Sequence, residues 1–490
     1  AAREKGAKLI VIDPRGIKLT KFADVWLPQK PGTDVAVLNG LMHVIMEEGL
    51  ADKDFIKERT EDFEALEKLL PEYTPEKVEE ISGVPADDLR LAARMYAEAD
   101  AASVIYSMGI TQHTTGVDNV KSIANLAMLT GNLGRRGTGV NPLRGQNNVQ
   151  GACDMGALPN VYPGYQKVAE EASRDKLGKA WGCSLPDSTG LTVVEIMNAA
   201  ADGSVKGLYI MGENPMLSDP DVGHVEEALE NLDFLVVQDI FLTETAALAD
   251  LVLPGQTFAE KDGTFTSTER RVQRIRKAIK PPGEARSDWQ IITDVANAMG
   301  DDMAYNSPSE IMDEIASVTP SYGGMSFERI DKVGLQWPCP DKDHPGTPVL
   351  HVGKFKRGLG KFHPVDFKPP AEEPDAEYPM ILTTGRLLNQ FHTGTMTRKT
   401  EGMDEVGPIA SAEISPKDAK KHNLKTGDKV KLVTRRGEIE ANALVTDKSR
   451  PGIIFMPFHF HEAPANRLTN PALDPIAKIP EFKVCAVRIK

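Results

Sequence analysis

One loop gathers polar side chains around a single basic residue. The stretch GVNPLRGQNNVQGACDMG, residues 139–156, contains Arg144, and its one acid is Asp154. A guanidinium is planar and always charged, so Arg144 can hold a carboxylate through two parallel hydrogen bonds. An ordinary salt bridge to a nearby aspartate is the alternative role for this arginine. An unpaired buried polar group costs about 1–3 kcal/mol, and the side-chain amides that can satisfy such groups here are Gln146, Asn147, Asn148 and Gln150.

A second pattern occurs twice along the chain. In LIVIDPRGIKLTKFADVWLP and FLVVQDIFLTETAALADLVLP an apolar strand ends in an aspartate, Asp13 or Asp239, and Ala-Asp and Leu-Pro follow at the same spacing. Another pair of strands ends in Met-Gly, at Met108-Gly109 and Met211-Gly212. The ends of parallel strands bind nucleotides, because a carboxylate there accepts hydrogen bonds from base or ribose and glycine lets phosphate approach. The repeat predicts two related nucleotide sites, or one site and a second copy of the motif that has only a structural role. Each feature alone also suits a helix cap or a turn.

The elements that must position these residues alternate between strands and helices. Apolar runs such as KLIVID, ASVIYSMG, GLYIMG and DFLVVQD alternate with amphipathic patterns, which predicts an α/β fold with doubly wound parallel-sheet domains and an internal pseudo-repeat. Asp34 is expected to cap a helix that ends at Gly49, and another helix is expected from about Ser122 to Gly134. Strands separated by short turns near the end predict a C-terminal β-barrel, with one short helix started by Ser415-Pro416. The predicted domains are an α/β dinucleotide-binding domain at 1–146, a second one at 147–350, a linker at 351–377 and the barrel at 378–490.

Composition narrows the classes of function. Hydrophobic residues make up 41% and charged residues 26% of the 490, as in a soluble globular protein, and no apolar run is long enough to span a membrane. The net charge of -14 disfavours nucleic acid as a partner, and an anionic small substrate would need a local basic pocket. The four cysteines include no C-x-x-C pair, which excludes a zinc ribbon or an iron–sulfur cluster held by this segment alone and suggests no disulfides. The opening AAREKGAKLIVIDPR has no initiator Met and no signal peptide, so an N-terminal part is expected to be missing.

Several stretches together resemble one enzyme family. The Arg144 loop, with LAMLTGNLGRRGTG before it and TTGRLLNQFHTGTMTR and PEFKVCAVRIK after it, closely resembles the catalytic subunit of molybdenum- or tungsten-dependent formate dehydrogenases. Those enzymes belong to the dimethyl-sulfoxide-reductase family of molybdopterin oxidoreductases, and the resemblance covers the chain as the C-terminal two thirds of the subunit. It implies bis-molybdopterin guanine dinucleotide around Mo or W, which would account for the doubled motifs. It also implies that a 4Fe-4S cluster and the metal's Cys or selenocysteine ligand lie in the missing part, so no metal ligand is expected here and the segment alone is expected to be inactive.

The resemblance assigns roles residue by residue. Arg144 matches the arginine that holds formate, and Gln146 lies beside it near the pterins. Matches to the first dinucleotide are Asp13, Arg15, Gly32, Asp34, Met108, Gly109 and Gln112. Matches to the second are Gly212, Glu213, Asn214, Ser218, Gln238 and Asp239. In the barrel, residues that match contacts to the pterins and the last contacts of the family are Gly385, Arg386, Phe391, His392, Thr393, Asn466, Phe482 and Lys483, whereas Gln390 departs from the histidine often found there and is not assigned.

The function implied by the resemblance is oxidation of formate to CO2, or the reverse, with electrons passed to an iron–sulfur subunit. A hydrogenase, an NAD-reducing module and a ferredoxin all remain possible as electron acceptors. The expected location is cytoplasmic. The alternatives are a nitrate reductase or another oxidoreductase of the same superfamily, and a non-catalytic scaffold subunit such as the protein of this fold in respiratory complex I that has lost its pterin.

Two further features suggest metal binding less strongly. His459 and His461 form an H-x-H pair, whose side chains would point the same way on a strand. No third ligand is visible, so exposed or pterin-facing histidines are favoured. Cys153 is disfavoured as a substitute metal ligand, because a lone buried cysteine is usually inert packing.

Overall fold

The computed structural model describes residues 2–490, which form two compact units. Unit 1 combines the residues up to Leu143 with Val349–Lys490, and unit 2 is Arg144–Pro348. Unit 1 therefore holds both the first α/β segment and the C-terminal segment of the chain. The exact division into an α/β domain, a linker and a barrel stays a prediction. None of the helices formed by residues 2–490 is both long and apolar enough to cross a membrane.

The N-terminal part of unit 1 is mostly helical. Its helices are α1 (Asp34–Glu47), α2 (Lys53–Arg59), α3 (Phe63–Leu69), α4 (Pro75–Ser82), α5 (Ala86–Ala97), α6 (Met108–Thr111) and α7 (Gly116–Leu129). Its strands are β1 (Ile10–Ile12), β2 (Val25–Leu27), β3 (Thr60–Glu61), β4 (Ser103–Tyr106) and β5 (Gly139–Pro142). β1 pairs with β2, and β4 with β5, both in parallel. Helices α6 and α7 connect β4 to β5, and α1 follows β2, as expected of an α/β fold.

Helix α1 forms the centre of this part. It is apolar on nearly every side, and its Leu38, Leu41 and Ile45 are buried in a core that also receives side chains from α4, α5 and α7. The expected cap is wrong in detail: Thr33 occupies the N-cap position, and Asp34 is the first helical residue. The Asp34 carboxylate accepts a hydrogen bond from Gln29 Nε2 at 3.2 Å instead of capping its own helix.

Unit 2 contains three sheets and seven α-helices among its described residues. The helices are α8 (Val149–Asp154), α9 (Glu171–Trp181), α10 (Val193–Ala201), α11 (Pro215–Ser218), α12 (Val222–Glu230), α13 (Asp288–Ala298) and α14 (Pro308–Val318). The strands are β6 (Val161–Tyr162), β7 (Gln166–Lys167), β8 (Gly207–Met211), β9 (Phe234–Asp239), β10 (Leu251–Pro254), β11 (Gly263–Thr266), β12 (Arg271–Ile275) and β13 (Leu335–Gln336). Strands β10, β9 and β8 form a parallel sheet, β11 to β13 an antiparallel one, and β6 and β7 a small antiparallel pair.

The internal repeat has one structural register in both units. Ile12 pairs with Leu27 between β1 and β2, and Gln238 pairs with Leu253 between β9 and β10. The second aspartate of each copy then holds the start of the first strand. Asp24 Oδ2 accepts from the Leu9 backbone N–H at 2.8 Å, and Asp250 Oδ2 accepts from the Leu235 N–H at 2.7 Å. The aspartate of the repeated Ala-Asp therefore has a structural role in both copies, since it binds the backbone at the start of the first strand.

The C-terminal part of unit 1 is a closed barrel. The short strand β14 (Gly360–Lys361) precedes the barrel and pairs with β3. The elements of the barrel segment are β15 (Met380–Gly385), α15 (Glu401–Asp404), β16 (Ser411–Ile414), α16 (Pro416–Lys421), β17 (Lys429–Val433), β18 (Glu438–Val445), β19 (Ile453–Pro457) and β20 (Cys485–Ile489). Six strands close in the order β15-β19-β16-β18-β17-β20. Ser415 caps α16 by accepting from the Asp418 N–H at 3.1 Å, as its sequence predicts. The predicted α/β class with parallel sheets and a C-terminal barrel is confirmed.

Candidate functional site

Charged side chains from both ends of the chain meet within unit 1. Asp13 directly follows β1, while Lys483 lies just before β20. Arg15 donates from Nε and Nη2 to Glu413 Oε2 at 3.1 and 2.7 Å, and its guanidinium carbon lies 3.4 Å from the centre of the Phe455 ring. Glu413 and Phe455 belong to barrel strands, so Arg15 joins the end of β1 to the barrel. Its predicted contact with a nucleotide stays a prediction.

The positive charges of this cluster are only partly neutralised. Burial, together with the nearby Arg386, lowers the pKa of Lys483 to about 8, although Asp13 opposes this shift. Lys483 Nζ donates to the Thr384 carbonyl oxygen at 2.7 Å. Burial also lowers the pKa of Arg386, and its guanidinium makes no hydrogen bond or ion pair among residues 2–490. An anion placed here would relieve the desolvation of both cations.

A buried histidine lies between two carboxylates beside this cluster. His113 is 2% exposed, and its Nε2 lies 3.8 Å from Asp34 Oδ2 while its Nδ1 lies 3.7 Å from Glu481 Oε1. Burial raises the pKa of Asp34, and His113 counteracts that shift. His113 Nδ1 and Gln29 Oε1 are buried without a hydrogen-bond partner among the described residues. Sequence reasoning missed His113 and Glu481, because no local pattern connects residues so far apart in the chain.

Two predicted glycines of unit 1 are explained by packing. A Cβ on Gly32, which has a φ of +85°, would lie 2.5 Å from Pro370 Cγ. A Cβ on Gly385 would lie 2.5 Å from Phe455 Cε2. Both positions therefore require glycine whether or not a ligand is bound. Met108 and Gly109 begin α6 just after β4, and Gln112 is the C-cap residue of that helix, so the predicted pterin-side residues lie at one strand end.

The predicted barrel loop contains a half-buried histidine that lies close to the buried His459. His392 lies in this loop between Phe391 and Thr393, and burial together with Arg386 lowers its pKa to about 4. Burial also lowers the pKa of His459 to about 4. His459 Nε2 accepts from the Leu387 N–H at 2.8 Å, so its Nδ1 carries the proton and donates to the His392 carbonyl oxygen.

The H-x-H pair lies beyond the end of β19, and the expectation of a shared strand face is wrong. His459 is buried and both its nitrogens bind backbone groups, whereas the His461 side chain is 60% exposed and contacts Glu462. No group of three His, Cys, Asp or Glu side chains within residues 2–490 could hold a metal ion. Of the last predicted contacts, the Phe482 carbonyl oxygen accepts from Thr384 Oγ1 at 2.8 Å, and Asn466 is buried in the same unit.

In unit 2, the end of β9 carries a network of acidic and amide side chains. Gln238 Nε2 donates to Asp288 Oδ1 at 2.8 Å, and the Tyr209 hydroxyl donates to Gln238 Oε1. Lys261 forms an ion pair with Asp288. Asp239 Oδ1 accepts from the Ile240 N–H at 2.6 Å, and burial raises its pKa, with Asp288 adding to the shift.

The predicted segment from Gly212 to Ser218 lies beside that network and adds further acids. Asn214 is held internally, since its Oδ1 accepts from Thr245 Oγ1 at 2.7 Å and its Nδ2 donates to Glu244 at 2.8 Å. Ser218 Oγ donates to Asp219 Oδ1 at 3.0 Å. Burial, with a contribution from Glu213, raises the pKa of Asp219 to about 7. This part of unit 2 therefore offers hydrogen-bond acceptors and little free positive charge.

The Arg144 loop lies in unit 2 and leads into α8. Arg144 Nε donates to Gln150 Oε1 at 3.1 Å, while its two Nη atoms have no hydrogen-bond partner among residues 2–490. The alternative of an ordinary salt bridge is not found, because no carboxylate among these residues pairs with Arg144. The Gln146 side chain likewise has no partner among them. The loop therefore offers the two Nη atoms of Arg144 and the side-chain amide of Gln146 for further hydrogen bonds.

Comparison with known families explains this combination of charges. Residues 1–298 match the model described as molybdopterin oxidoreductase, and residues 380–486 match the one described as Molydopterin dinucleotide binding domain. The chain belongs to the molybdopterin oxidoreductase family. Its family cofactor is bis-molybdopterin guanine dinucleotide with Mo or W.

Curated relatives of this molybdopterin oxidoreductase are formate dehydrogenase subunits. The F420-dependent formate dehydrogenase 1 subunit alpha of Methanococcus maripaludis is 54% identical over 100% of the chain and 73% of the relative. Formate dehydrogenase H of Escherichia coli is 44% identical over 100% of the chain and 69% of the relative. Among solved structures, acetylene hydratase from Pelobacter acetylenicus has a TM-score of 0.80 at 23% identity, covering 100% of this chain and 74% of that one, which shows a shared fold.

The side chains of the molybdopterin oxidoreductase fit such a cofactor. In unit 1, Arg386 and Lys483 are desolvated cations suited to phosphate oxygens. The buried Gln29 Oε1 and His113 Nδ1 lack partners among the described residues, as groups facing a polar ligand would. In unit 2, Asp239 and its acidic neighbours suit the N–H donors of a guanine ring.

Proposed function

We propose that this chain is the catalytic part of a formate dehydrogenase, which converts formate to CO2, one proton and two electrons. The observation that supports this most directly is the state of Arg144. Its Nε is occupied by Gln150 and its two Nη atoms are open, so the guanidinium presents a two-pronged donor to a small carboxylate. The relatives at 44% and 54% identity are formate dehydrogenases, which supports the same substrate.

Arg144 binds and orients the substrate in this proposal. Two parallel N–H···O bonds hold both oxygens of formate and leave its C–H directed away from the guanidinium, which fixes the geometry of the reacting bond. The molybdopterin centre supplies the two-electron redox chemistry when it is bound. Gln146 adds an amide with no partner among residues 2–490, suited to a pterin or substrate group beside the arginine.

The two units hold the two dinucleotides by different means. In unit 1, Lys483 and Arg386 neutralise phosphate, and Asp13 and Asp34 accept from the guanosine end. In unit 2, Asp239 accepts from a guanosine end, with Gln238 and Asp288 fixing the edge of β9. The remaining predicted contacts in both units are proposed with the same roles that their family matches imply.

The electron acceptor is proposed to be coenzyme F420, reached through an iron–sulfur partner subunit. Two relatives at 54% identity and one at 52% are F420-dependent, whereas Escherichia coli formate dehydrogenase H is 44% identical. A cytoplasmic location fits such an acceptor. Formate-dependent reduction of F420 by the assembled holoenzyme, compared with reduction of NAD, tests this choice.

The test of the substrate role is Arg144→Lys in the full-length holoenzyme. Lysine keeps the charge and loses the two-pronged geometry, so kcat/KM for formate should fall about 100-fold or more. Arg276→Lys, an exposed arginine of unit 2 paired with Asp331, is the control and should retain kcat/KM.

A binding readout complements the kinetics. Formate should protect Arg144 from modification by a dicarbonyl reagent, measured on the peptide by mass spectrometry, because the open Nη atoms are the reactive ones. An unchanged KM in Arg144→Lys together with no protection by formate would overturn the proposed role.

A further inference from the structure

The side-chain amide of Gln150 makes three hydrogen bonds on the first turns of α8. Its Oε1 accepts from Arg144 Nε at 3.1 Å. Its Nε2 donates to Asp154 Oδ1 at 2.8 Å and to the Tyr165 hydroxyl at 3.0 Å. Gln150 is 7% exposed, so few water molecules can replace these partners. Gln150 and Asp154 are four residues apart on one helix, which places both side chains on the same face.

The carboxylate of Asp154 determines which way the Gln150 amide points. Asp154 is 1% exposed and also accepts from the hydroxyls of Tyr165 at 2.9 Å and Tyr322 at 2.6 Å. All three of its neighbours donate to its two oxygens, which accept. The nitrogen of the Gln150 amide must therefore face Asp154. Its oxygen is left to face Arg144.

The orientation of Gln150 in turn determines which edge of Arg144 is open. A guanidinium can bind a carboxylate through its Nε and one Nη, or through its two Nη atoms. Because Gln150 occupies Nε, only the edge with the two Nη atoms remains. A rotated amide would place an N–H against the Nε–H, and the guanidinium would lose its support.

We propose that Gln150 and Asp154 are positioning residues for the proposed reaction, which hold Arg144 so that its two Nη atoms receive the carboxylate of formate. This inference rests on the proposed function of Arg144. Neither residue touches the substrate, and both act only through the arginine. The buried carboxylate, the amide and the guanidinium form a chain in which each member fixes the donor and acceptor edges of the next.

A double-mutant cycle in the full-length holoenzyme tests the proposal. Gln150→Met keeps the volume and removes both the acceptor and the donor, so kcat/KM for formate should fall about tenfold while Arg144 is present. In the Arg144→Lys background the same substitution should change kcat/KM by less than about twofold, because lysine has no Nε–H at that position. Asp154→Leu should show the same dependence on Arg144, and it provides a second variant if Gln150→Met fails to fold.

Gln166→Met is the matched control. Gln166 also makes three hydrogen bonds within unit 2, donating to the carbonyl oxygens of Pro163 and Val318 and accepting from Lys176 Nζ. The Gln166→Met variant should lower the midpoint of thermal unfolding about as much as Gln150→Met does, and it should leave the KM for formate unchanged. Equal losses from Gln150→Met in the wild-type and Arg144→Lys backgrounds would overturn the positioning role. Formate turnover that is absent in the wild type, or insensitive to Arg144→Lys, would instead show that the proposed function has failed.

Discussion

The strand pairs β1–β2 and β9–β10 repeat one sequence pattern in two different electrostatic surroundings. Both pairs are parallel with the same register, and both place an aspartate at the end of the first strand. Around Asp13 the barrel brings Lys483 and Arg386, whose pKa values are lowered by burial. Around Asp239 the neighbours are acids, and the nearby Lys261 is already paired with Asp288.

This difference shows that the repeat determines the backbone geometry, whereas the charge around each aspartate depends on residues outside the repeat. The strand-end aspartate is common to both units, so it suits the part that two guanosine ends have in common. The cations of unit 1 are supplied by residues hundreds of positions away in the sequence. We therefore expect charge to stabilise a phosphate-rich stretch of ligand more strongly in unit 1 than in unit 2.

The largest expected difference between the two units concerns Lys483 of unit 1 and Lys261 of unit 2. Lys483→Met should remove about half or more of the guanine nucleotide that the purified holoenzyme releases on acid hydrolysis, because a desolvated cation facing phosphate is lost. Lys261→Met should retain most of it, since Asp288 already neutralises that lysine. Equal losses in the two variants would show that the units do not differ in this way.

A smaller effect concerns the buried acid of unit 2. The pKa of Asp219 is raised from 3.8 to about 7 by burial, so between about pH 4 and pH 7 the folded state binds more protons than the unfolded state. Stability from this group is complete below about pH 4 and is lost as the pH rises through about 7. Asp219→Asn should therefore match the wild type near pH 4 and be about 1–3 kcal/mol more stable at pH 8.

Thermal unfolding of the cofactor-free protein at several pH values measures the effect of Asp219→Asn. The control is Asp233→Asn, since the Asp233 side chain is 73% exposed on the same unit. A difference between Asp219→Asn and the wild type that stayed constant with pH would contradict the assignment.

The smallest effect should be equal in the two units. Asp24→Ala and Asp250→Ala each remove the acceptor for one backbone N–H at the start of a strand, Leu9 or Leu235. Each loss should cost about 1 kcal/mol locally. Hydrogen exchange followed by mass spectrometry should show faster exchange at those two amides. Faster exchange in only one unit would mean that the second aspartates are not equivalent.

The fold was predictable where local rules agree with the tertiary structure. The register of the repeat, the cap at Ser415 and the barrel strands follow from strand patterns and turn residues that act over short distances. Helix α7 begins at Gly116, earlier than the apolar pattern near Ser122 predicts. Its polar first turn is stabilised by Asn119, whose side chain donates to the Ile110 carbonyl oxygen at 2.8 Å.

The sequence alone determined the family and located the two strand-end aspartates, and it led to the proposal for Arg144, since each of these depends on residue types at short spacing. Only the tertiary structure decided which partners these residues have. His113 lies between Asp34 and Glu481 because α6, α1 and the segment before β20 pack together. Charge and desolvation act through space, so the burial that lowers the pKa of Lys483 arises only after folding.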